Sequence, residues 1–355
     1  MNAFPDVFYA AAALAAIAAS MAVCIQGRTY GRAAISALIG PLILVYLLGM
    51  YRAFGVDFEN YEAYLGSGRD QIPDIGYKLL MEFAHAIELS LSEFFLLQGL
   101  FTLGAVYLLA RKLGSDFVVT ITLYILHAAI VRDFSQSRVA LALAIYFVAL
   151  AQDRRAVYLL LTVMAVSVHI SLAPLVLTYH WARTVVGFQR GQVFFIIAPA
   201  AALLAGVALM LSMLSALDPR IEIYMNWAQD LYGSPVGSYS TLLLFLLVAA
   251  ICYRAHQLTG DKESKVFLIM ILYAAVTFIA FRDLAIFAFR LSNVVAALYP
   301  FAIGRAIFLL RDREQNRLHD VAVPLALLGA LLLAIVIRPG SLDVLRDTQS
   351  VLLAQ

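Results

Sequence analysis

Long apolar runs separated by short polar stretches set the pattern of the chain. A bilayer core of about 30 Å needs about 20 helical residues to cross it. The runs that are long enough, once tilt is allowed, are residues 6–25, 33–53, 94–111, 116–131, 192–214, 239–255, 265–281, 286–309 and 321–337. Residues 139–152 form a shorter run, and residues 156–182 form a long one that is interrupted at His169–Pro174. This pattern predicts an all-α, polytopic integral membrane helix bundle with about 11–12 membrane segments in one transmembrane domain, residues 1–355.

Two polar stretches are long enough to be structured loops. Residues 54–92 hold a group of acidic residues followed by KLLMEFAHAIELSLS, whose mixed pattern predicts an amphipathic helix on the membrane surface. Residues 215–238 place Trp227 and two tyrosines beside proline and glycine.

Composition supports a lipid environment. Hydrophobic residues make up 63% of the chain and charged residues only 14%, with a mean hydropathy of +0.88. A soluble domain cannot bury that much apolar surface. The net charge of +2 gives no reason to expect a nucleic-acid partner. Cys24 and Cys252 form neither a disulfide framework nor a metal-binding spacing, and we expect no metal or cofactor.

The distribution of lysine and arginine predicts the orientation. Basic residues favour cytoplasmic loops. If residues 156–182 cross the membrane once, more basic residues fall outside than inside, whereas a turn back within the segment reverses this balance. We therefore predict that residues 156–182 are a helical hairpin or re-entrant segment, with His169 and Ser171 at its tip. Both polar loops, 54–92 and 215–238, then lie on the outer side, where His169 faces a cavity.

Several arginines lie at the same predicted depth as His169. Arginine inside a membrane is costly and usually faces a partner or a functional cavity. Its planar fork suits phosphate oxygens, so the group predicts an anionic ligand such as a pyrophosphate. Arg132 and Arg282 each precede an aspartate, and the alternative for these two is an interfacial pair with that neighbour. The polar residues that we predict at this depth are Arg132, Gln136, Arg138, Arg282 and Arg290.

The outer loops combine carboxylates with aromatic rings. Aromatic side chains offer a flat apolar face with a polar edge, which suits sugar rings. The alternative is an aromatic belt at the membrane surface with ordinary loop acids. The candidate sugar-binding residues are Asp57, Tyr61, Tyr64, Asp74, Tyr77 and Trp227.

These motifs, taken in order, resemble those of the Wzy-type polysaccharide polymerases, in particular the EpsG-like family. The resemblance spans residues 57–300 and rests on four places. They are Asp57-x-x-x-Tyr61-x-x-Tyr64 with Asp74-Ile-Gly-Tyr77, Arg138-Val-Ala-Leu-Ala-Leu-Ala, His169-x-Ser171, and Arg290-Leu291 ahead of Tyr299-Pro300. The chain departs from the usual family pattern at Asp74-Ile and at Val139.

The resemblance implies a GT-C-like glycosyltransferase in the bacterial inner membrane with its active site facing the periplasm. Such enzymes transfer a growing glycan from undecaprenyl diphosphate to a hydroxyl of the next lipid-linked repeat unit. The lipid bilayer, the undecaprenyl-diphosphate-linked oligosaccharide and, by family analogy, a chain-length regulator and a flippase are the implied partners. A glycan ligase with the same donor, or a lipid-oligosaccharide transporter, is the alternative.

The sequence assigns roles to some of these residues and leaves others open. Arg138 and Arg290 are the first choices to stabilise the charge that develops on the diphosphate. His169 is the favoured general base for the acceptor hydroxyl, although an imidazolium could equally bind the diphosphate. Asp57 and Asp74 are rivals for the base.

Overall fold

The computed structural model describes residues 30–52, 58–65, 72, 74–125, 133, 136–186, 235–281 and 285–311. Within these ranges every regular element is helical and no strand occurs. The predicted all-α membrane bundle is therefore confirmed. The number of membrane crossings and the GT-C-like topology stay predictions, because several apolar runs lie outside the described residues.

The described helices divide into two compact units between Leu172 and Ala173. In the first unit they are α1 (Tyr30–Arg52), α2 (Phe58–Leu65), α3 (Ile75–Ala86), α4 (Leu91–Leu113), α5 (Phe117–Leu123), α6 (Ser137–Leu150) and α7 (Arg155–Val168), followed by the 3₁₀ turn Ile170–Leu172. In the second they are α8 (Ala173–Val185), α9 (Pro235–Thr259), α10 (Lys262–Ala280), α11 (Ala285–Val295), the 3₁₀ turn Ala296–Leu298 and α12 (Tyr299–Arg311). The single transmembrane domain of the sequence analysis remains a prediction.

Helix length separates spanning elements from shorter ones. Within the described part of the chain, four stretches are long and apolar enough to cross a membrane: Leu91–Leu113, Thr241–Thr259, Lys262–Ala280 and Leu291–Leu310. By contrast, α6 and α7 have 14 residues each. At about 1.5 Å per residue they measure about 21 Å, less than the hydrocarbon thickness.

The ends of α4 are fixed by local sequence. Ser90 caps the helix by accepting from the Glu93 backbone N–H, and the Glu93 carboxylate returns the contact to the Ser90 N–H at 2.8 Å. This reciprocal pair satisfies N–H groups that the first helical turn leaves open. At the other end Gly114 takes a left-handed conformation with φ 60°, which glycine adopts without strain.

The core of the first unit is built around α6. Its residues from Val139 to Phe147 are all buried, and the helix packs against α4 and α7. A helix that is apolar on all sides belongs in an interior, and its repeated alanines allow neighbouring helices to approach closely. Because α6 is enclosed by protein, it does not need the full length of a lipid-exposed span.

The α3 helix has one apolar face that is buried and another that is exposed. Tyr77, Met81 and Ala84 are buried, and the helix packs against α7 and α2. On another face Leu79 and Phe83 are 60% and 63% exposed. A helix is thus present in the predicted region, although it begins before residue 78 and ends at Ala86, and its location on the membrane surface stays a prediction. An exposed apolar face suits the membrane-surface location that the sequence predicts for it.

In the second unit a carboxylate joins the start of α10 to α12. Asp261 accepts from the Ser264 backbone N–H at 2.8 Å and from Arg305 Nε and Nη2 at 2.8 and 2.6 Å. Burial opposes ionisation of Asp261, but the hydrogen bonds from Arg305 and Ser264 outweigh it and hold the pKa of this carboxyl below its usual value. A bidentate arginine–carboxylate pair is among the stronger ionic contacts in proteins.

We expect Asp261→Asn to destabilise the protein by about 1–3 kcal/mol at neutral pH, because an amide cannot form the charge-assisted pair with the half-buried Arg305 guanidinium. The lowered pKa means that this stabilisation is present above the unfolded-state pKa and is lost as the pH falls through the folded-state pKa. The thermal unfolding midpoint in detergent should therefore be lower for Asp261→Asn than for wild-type protein at pH 7. This difference should become smaller at acidic pH.

Asp153→Asn is the matched control. Asp153 pairs with Lys112 at an exposed position, where ion pairs contribute little. Equal losses for the two variants at pH 7 would contradict the account of Asp261.

Candidate active site

A buried carboxylate contacts two basic side chains where three helices end. Asp74 Oδ2 accepts a hydrogen bond from Arg138 Nη1 at 2.8 Å and lies 3.1 Å from His169 Nδ1. The Asp74 side chain is 8% exposed, and the Arg138 and His169 side chains are 22% and 21% exposed. Because an unpaired buried charge is strongly unfavourable, the three side chains depend on one another. We call them the Asp74 cluster.

Each member of the cluster lies at the end of a helix. Asp74 is the N-cap residue of α3, with extended backbone at φ −92° and ψ 110°, yet its carboxylate makes no capping hydrogen bond. Arg138 lies in the first turn of α6. His169 ends α7 with φ −158° and ψ 116°. The carboxylate that could cap α3 is instead directed at the two other helices.

His169 lies at an interruption of the helical path. The α7 helix ends there, a 3₁₀ turn covers Ile170–Leu172, and helix resumes at Ala173. The interruption falls within the stretch from His169 to Pro174 that the sequence marks as broken. Whether the segment turns back in the membrane stays a prediction. Fourteen residues of α7 place His169 about 21 Å from the other end of that helix.

A glycine brings α3 and α7 into direct backbone contact next to the cluster. A Cβ atom at Gly76 would lie 2.7 Å from both Ser167 C and Val168 N, which is closer than real Cβ contacts. These backbone atoms cannot rotate away as a flexible side chain could. Only glycine therefore lets Asp74, two residues earlier, approach His169 at this distance.

Aromatic rings pack against one another close to the Asp74 cluster. The Tyr61 ring makes edge contacts with Tyr77 at 5.9 Å and with Phe95 at 5.6 Å between centroids. Tyr61 and Tyr77 are buried, and the Tyr61 phenol interacts electrostatically with the Arg138 guanidinium. The structure thus places these two tyrosines in the protein interior rather than on an open surface. Tyr64, whose ring lies 6.1 Å from that of Tyr61, is only half-buried.

The remaining predicted residues are only partly covered by the structure. Gln136 precedes α6, is half-buried and makes no capping hydrogen bond. Ser171 lies in the 3₁₀ turn, and its buried Oγ has no hydrogen-bond partner among the described residues. Arg290 lies on α11. Asp57, Arg132, Trp227 and Arg282 lie outside the described residues.

Sequence reasoning missed two polar contacts that precede Arg138. Gln98 on α4 hydrogen-bonds with Ser137, and buried Asp133 accepts from Tyr46 at 2.7 Å and from Tyr124 at 3.2 Å. The available signal was a lone glutamine in the apolar stretch FFLLQGLF, because a polar side chain in a membrane helix needs a partner.

The fold and the site together define a class: a polytopic membrane protein that holds arginine, aspartate and histidine at the ends of its helices. Within the described part of the chain, no three His, Cys, Asp or Glu side chains are grouped as a metal ion would require. The chain belongs to the EpsG family, whose model matches residues 35–343. This confirms the resemblance and indicates a membrane glycosyltransferase of the polysaccharide polymerase type. No curated protein and no solved structure matched the chain.

We expect Gly76→Ala to lower the rate of glycan polymer formation by at least about tenfold, because α3 and α7 must move apart to accommodate the methyl group. A shift of about 1 Å in the position of a reacting group can lower a rate by more than that. The rate should be measured with purified protein in lipid vesicles, beside the thermal unfolding midpoint.

Gly104→Ala is the control, since a Cβ there meets nothing within 4 Å and alanine favours the helix. If Gly76→Ala kept the same rate as Gly104→Ala, the close approach of the two helices would have no part in activity.

Proposed function

We propose that this protein is a polysaccharide polymerase that transfers a growing glycan from undecaprenyl diphosphate to a hydroxyl of the next lipid-linked repeat unit. The Asp74 cluster is the observation that supports this proposal most directly. It brings together Arg138, a cation that can bind a diphosphate, and His169, a base that can accept a hydroxyl proton. The proposed location is the periplasmic face of the bacterial inner membrane. A chain-length regulator and a flippase are proposed as neighbours in the same assembly.

Arg138 has the chemistry for the leaving group. Negative charge develops on the diphosphate as the glycosyl bond breaks, and a fixed guanidinium stabilises that charge without reorganising. One nitrogen of Arg138 is used by Asp74. A guanidinium has five N–H donors in a rigid fork, so the contact with Asp74 can orient the group while other donors face phosphate oxygens.

His169 is assigned as the general base. Its Nδ1 faces the Asp74 carboxylate, and a carboxylate in that position favours the tautomer with the proton on Nδ1. The lone pair of the neutral ring then lies on Nε2, from which a hydroxyl proton can be taken up. Asp74 orients the ring and stabilises the imidazolium that forms, as carboxylates do in other base-assisted transfers.

Asp74 itself is assigned to positioning rather than to proton transfer. One of its oxygens already meets both Arg138 and His169, and its side chain is nearly enclosed. Asp57, which lies outside the described residues, remains the rival base.

The proposed reaction exchanges one bond for another at the anomeric carbon. The acceptor oxygen forms a bond to that carbon, and the bond between the carbon and the diphosphate oxygen breaks. The hydroxyl proton passes to His169, and undecaprenyl diphosphate leaves with its charge against Arg138. No redox partner and no nucleotide sugar takes part.

Other residues are proposed as substrate contacts. Ser171 offers a hydroxyl next to the His169 turn, and Gln136 offers an amide next to Arg138. Of the three candidate tyrosines in the outer loop, Tyr64 is the most exposed and is proposed to stack on a sugar, while Tyr61 and Tyr77 are proposed to support Arg138. Outside the described side chains, Arg290, Arg132 and Arg282 are proposed as further diphosphate ligands and Trp227 as a sugar platform.

We expect Arg138→Ala to abolish the ladder of polymer lengths that wild-type protein makes from a synthetic undecaprenyl-diphosphate oligosaccharide in vesicles. The loss should reach about 100-fold or more in kcat, because a group that stabilises developing charge is removed. Gel analysis of the products measures it, and Arg154→Ala on an exposed turn is the matched control.

The same assay separates polymerisation from its alternatives. Transfer of a single block to a different lipid acceptor would indicate a ligase. Movement of the intact lipid-linked oligosaccharide between membrane leaflets, with no product of increased length, would indicate a transporter and contradict the proposal.

The pH–rate profile tests the role of His169. We expect kcat to fall as the pH is lowered, because an imidazolium cannot accept the hydroxyl proton. His169→Gln should lose this acidic limb together with most of the rate, while Glu82→Gln on the exposed side of α3 should keep both. A rate that falls with rising pH instead would assign His169 to diphosphate binding as the cation.

A further inference from the structure

A glutamine on α4 forms two hydrogen bonds with the residue that precedes Arg138. Gln98 Nε2 donates to the Ser137 carbonyl oxygen at 3.1 Å, and Ser137 Oγ donates to Gln98 Oε1 at 2.8 Å. Both residues are 3% exposed. The side-chain amide of Gln98 therefore uses both its donor and its acceptor on Ser137, which lies 39 residues further along the chain.

This pair is not needed to complete the backbone of α6. Carbonyl groups in the first turn of a helix already accept from the residue four positions later, and it is the first N–H groups that lack partners. Gln98 instead adds a second donor to a carbonyl at the helix start. The contact therefore fixes where α6 begins relative to α4, with Arg138 as the next residue.

A second buried contact holds the chain just before this point. Asp133 accepts hydrogen bonds from Tyr46 on α1 and from Tyr124, which follows α5. Asp133 and Ser137 are thus each held by buried hydrogen bonds to other helices of the first unit. Both contacts oppose a shift of the backbone at Arg138.

We propose that Gln98 is a positioning residue that acts through Ser137 to hold Arg138 in place for transfer. The inference rests on the proposed function of Arg138 as the group that stabilises the leaving diphosphate. Preorganised charge is effective only if it does not move during the reaction. Loss of the Gln98 contacts releases the start of α6, and the guanidinium no longer meets both Asp74 and the diphosphate in one fixed geometry.

The test is Gln98→Met in the full-length protein, because methionine has nearly the same shape and makes neither hydrogen bond. We expect kcat to fall about tenfold while KM stays within about twofold, since the lost effect lies in the transition state. The thermal unfolding midpoint is measured alongside. Thr277→Val is the matched control, because it also removes a buried side chain that donates to a backbone carbonyl in a membrane helix and should leave kcat unchanged.

Coupling to Arg138 distinguishes positioning from general destabilisation. The same substitution is made in an Arg138→Lys background, where a flexible ammonium replaces the rigid fork. We expect Gln98→Met to cost at most about twofold there, because the two changes act on one group and are not additive. An equal loss in both backgrounds, or an unchanged kcat in the single variant, would overturn the inference.

Two further arms cover the remaining outcomes. If Gln98→Met does not fold, Ser137→Ala removes one of the two hydrogen bonds and should lower kcat in the same direction, by about threefold. If wild-type protein makes no polymer, the proposed function itself fails. Binding of free undecaprenyl diphosphate, which carries the full charge of the leaving group, to wild type, Gln98→Met, Arg138→Lys and the double variant then decides the inference. The inference requires Gln98→Met to weaken this binding only when residue 138 is arginine.

Discussion

The contact of one buried carboxylate with an arginine and a histidine is the constraint that the first unit must satisfy. A carboxylate in an apolar interior is tolerated only when cationic or hydrogen-bonding partners surround it. Asp74 finds both partners through a single oxygen, which requires three helix ends to meet within hydrogen-bond distance. Each partner alone would leave a charge less well compensated. The stability of the first unit and the geometry of the proposed active site therefore depend on the same few atoms.

The surrounding structure can be understood as support for that meeting point. Gly76 removes the side chain that would keep α3 from α7, so the aspartate and histidine come together. The buried Tyr61 interacts electrostatically with the arginine, and Gln98 hydrogen-bonds with Ser137 at the start of α6. These groups belong to α2, α3 and α4, so no single helix positions the cluster. The short, enclosed α6 fits the same arrangement, because its length is set by its protein neighbours.

Local patterns in the sequence predicted most of the helices and the break between α7 and α8. Apolar runs predicted the helices, and the break at His169 was visible because serine and proline interrupt such a run. Arg138 and His169 stood out as polar groups at membrane depth, and Asp74 stood out as a carboxylate in the predicted outer loop. Their mutual contact could not be predicted, since it joins residues 64 and 95 positions apart and depends on packing. Burial of Tyr77 was missed for the same reason, because spacing alone does not tell a core ring from an open one.

The short connection between α6 and α7 has a consequence for biosynthesis. Only residues 151–154 separate the two helices, which pack against each other. A helix of 14 residues is too short to cross the hydrocarbon core, so on its own it partitions poorly from the translocon into lipid. The pair is therefore best inserted together, after Asp74 has already been synthesised. A ribosome-bound chain that ends before residue 138 contains Asp74 but neither Arg138 nor His169. The Asp74 cluster becomes complete only when translation has passed residue 169.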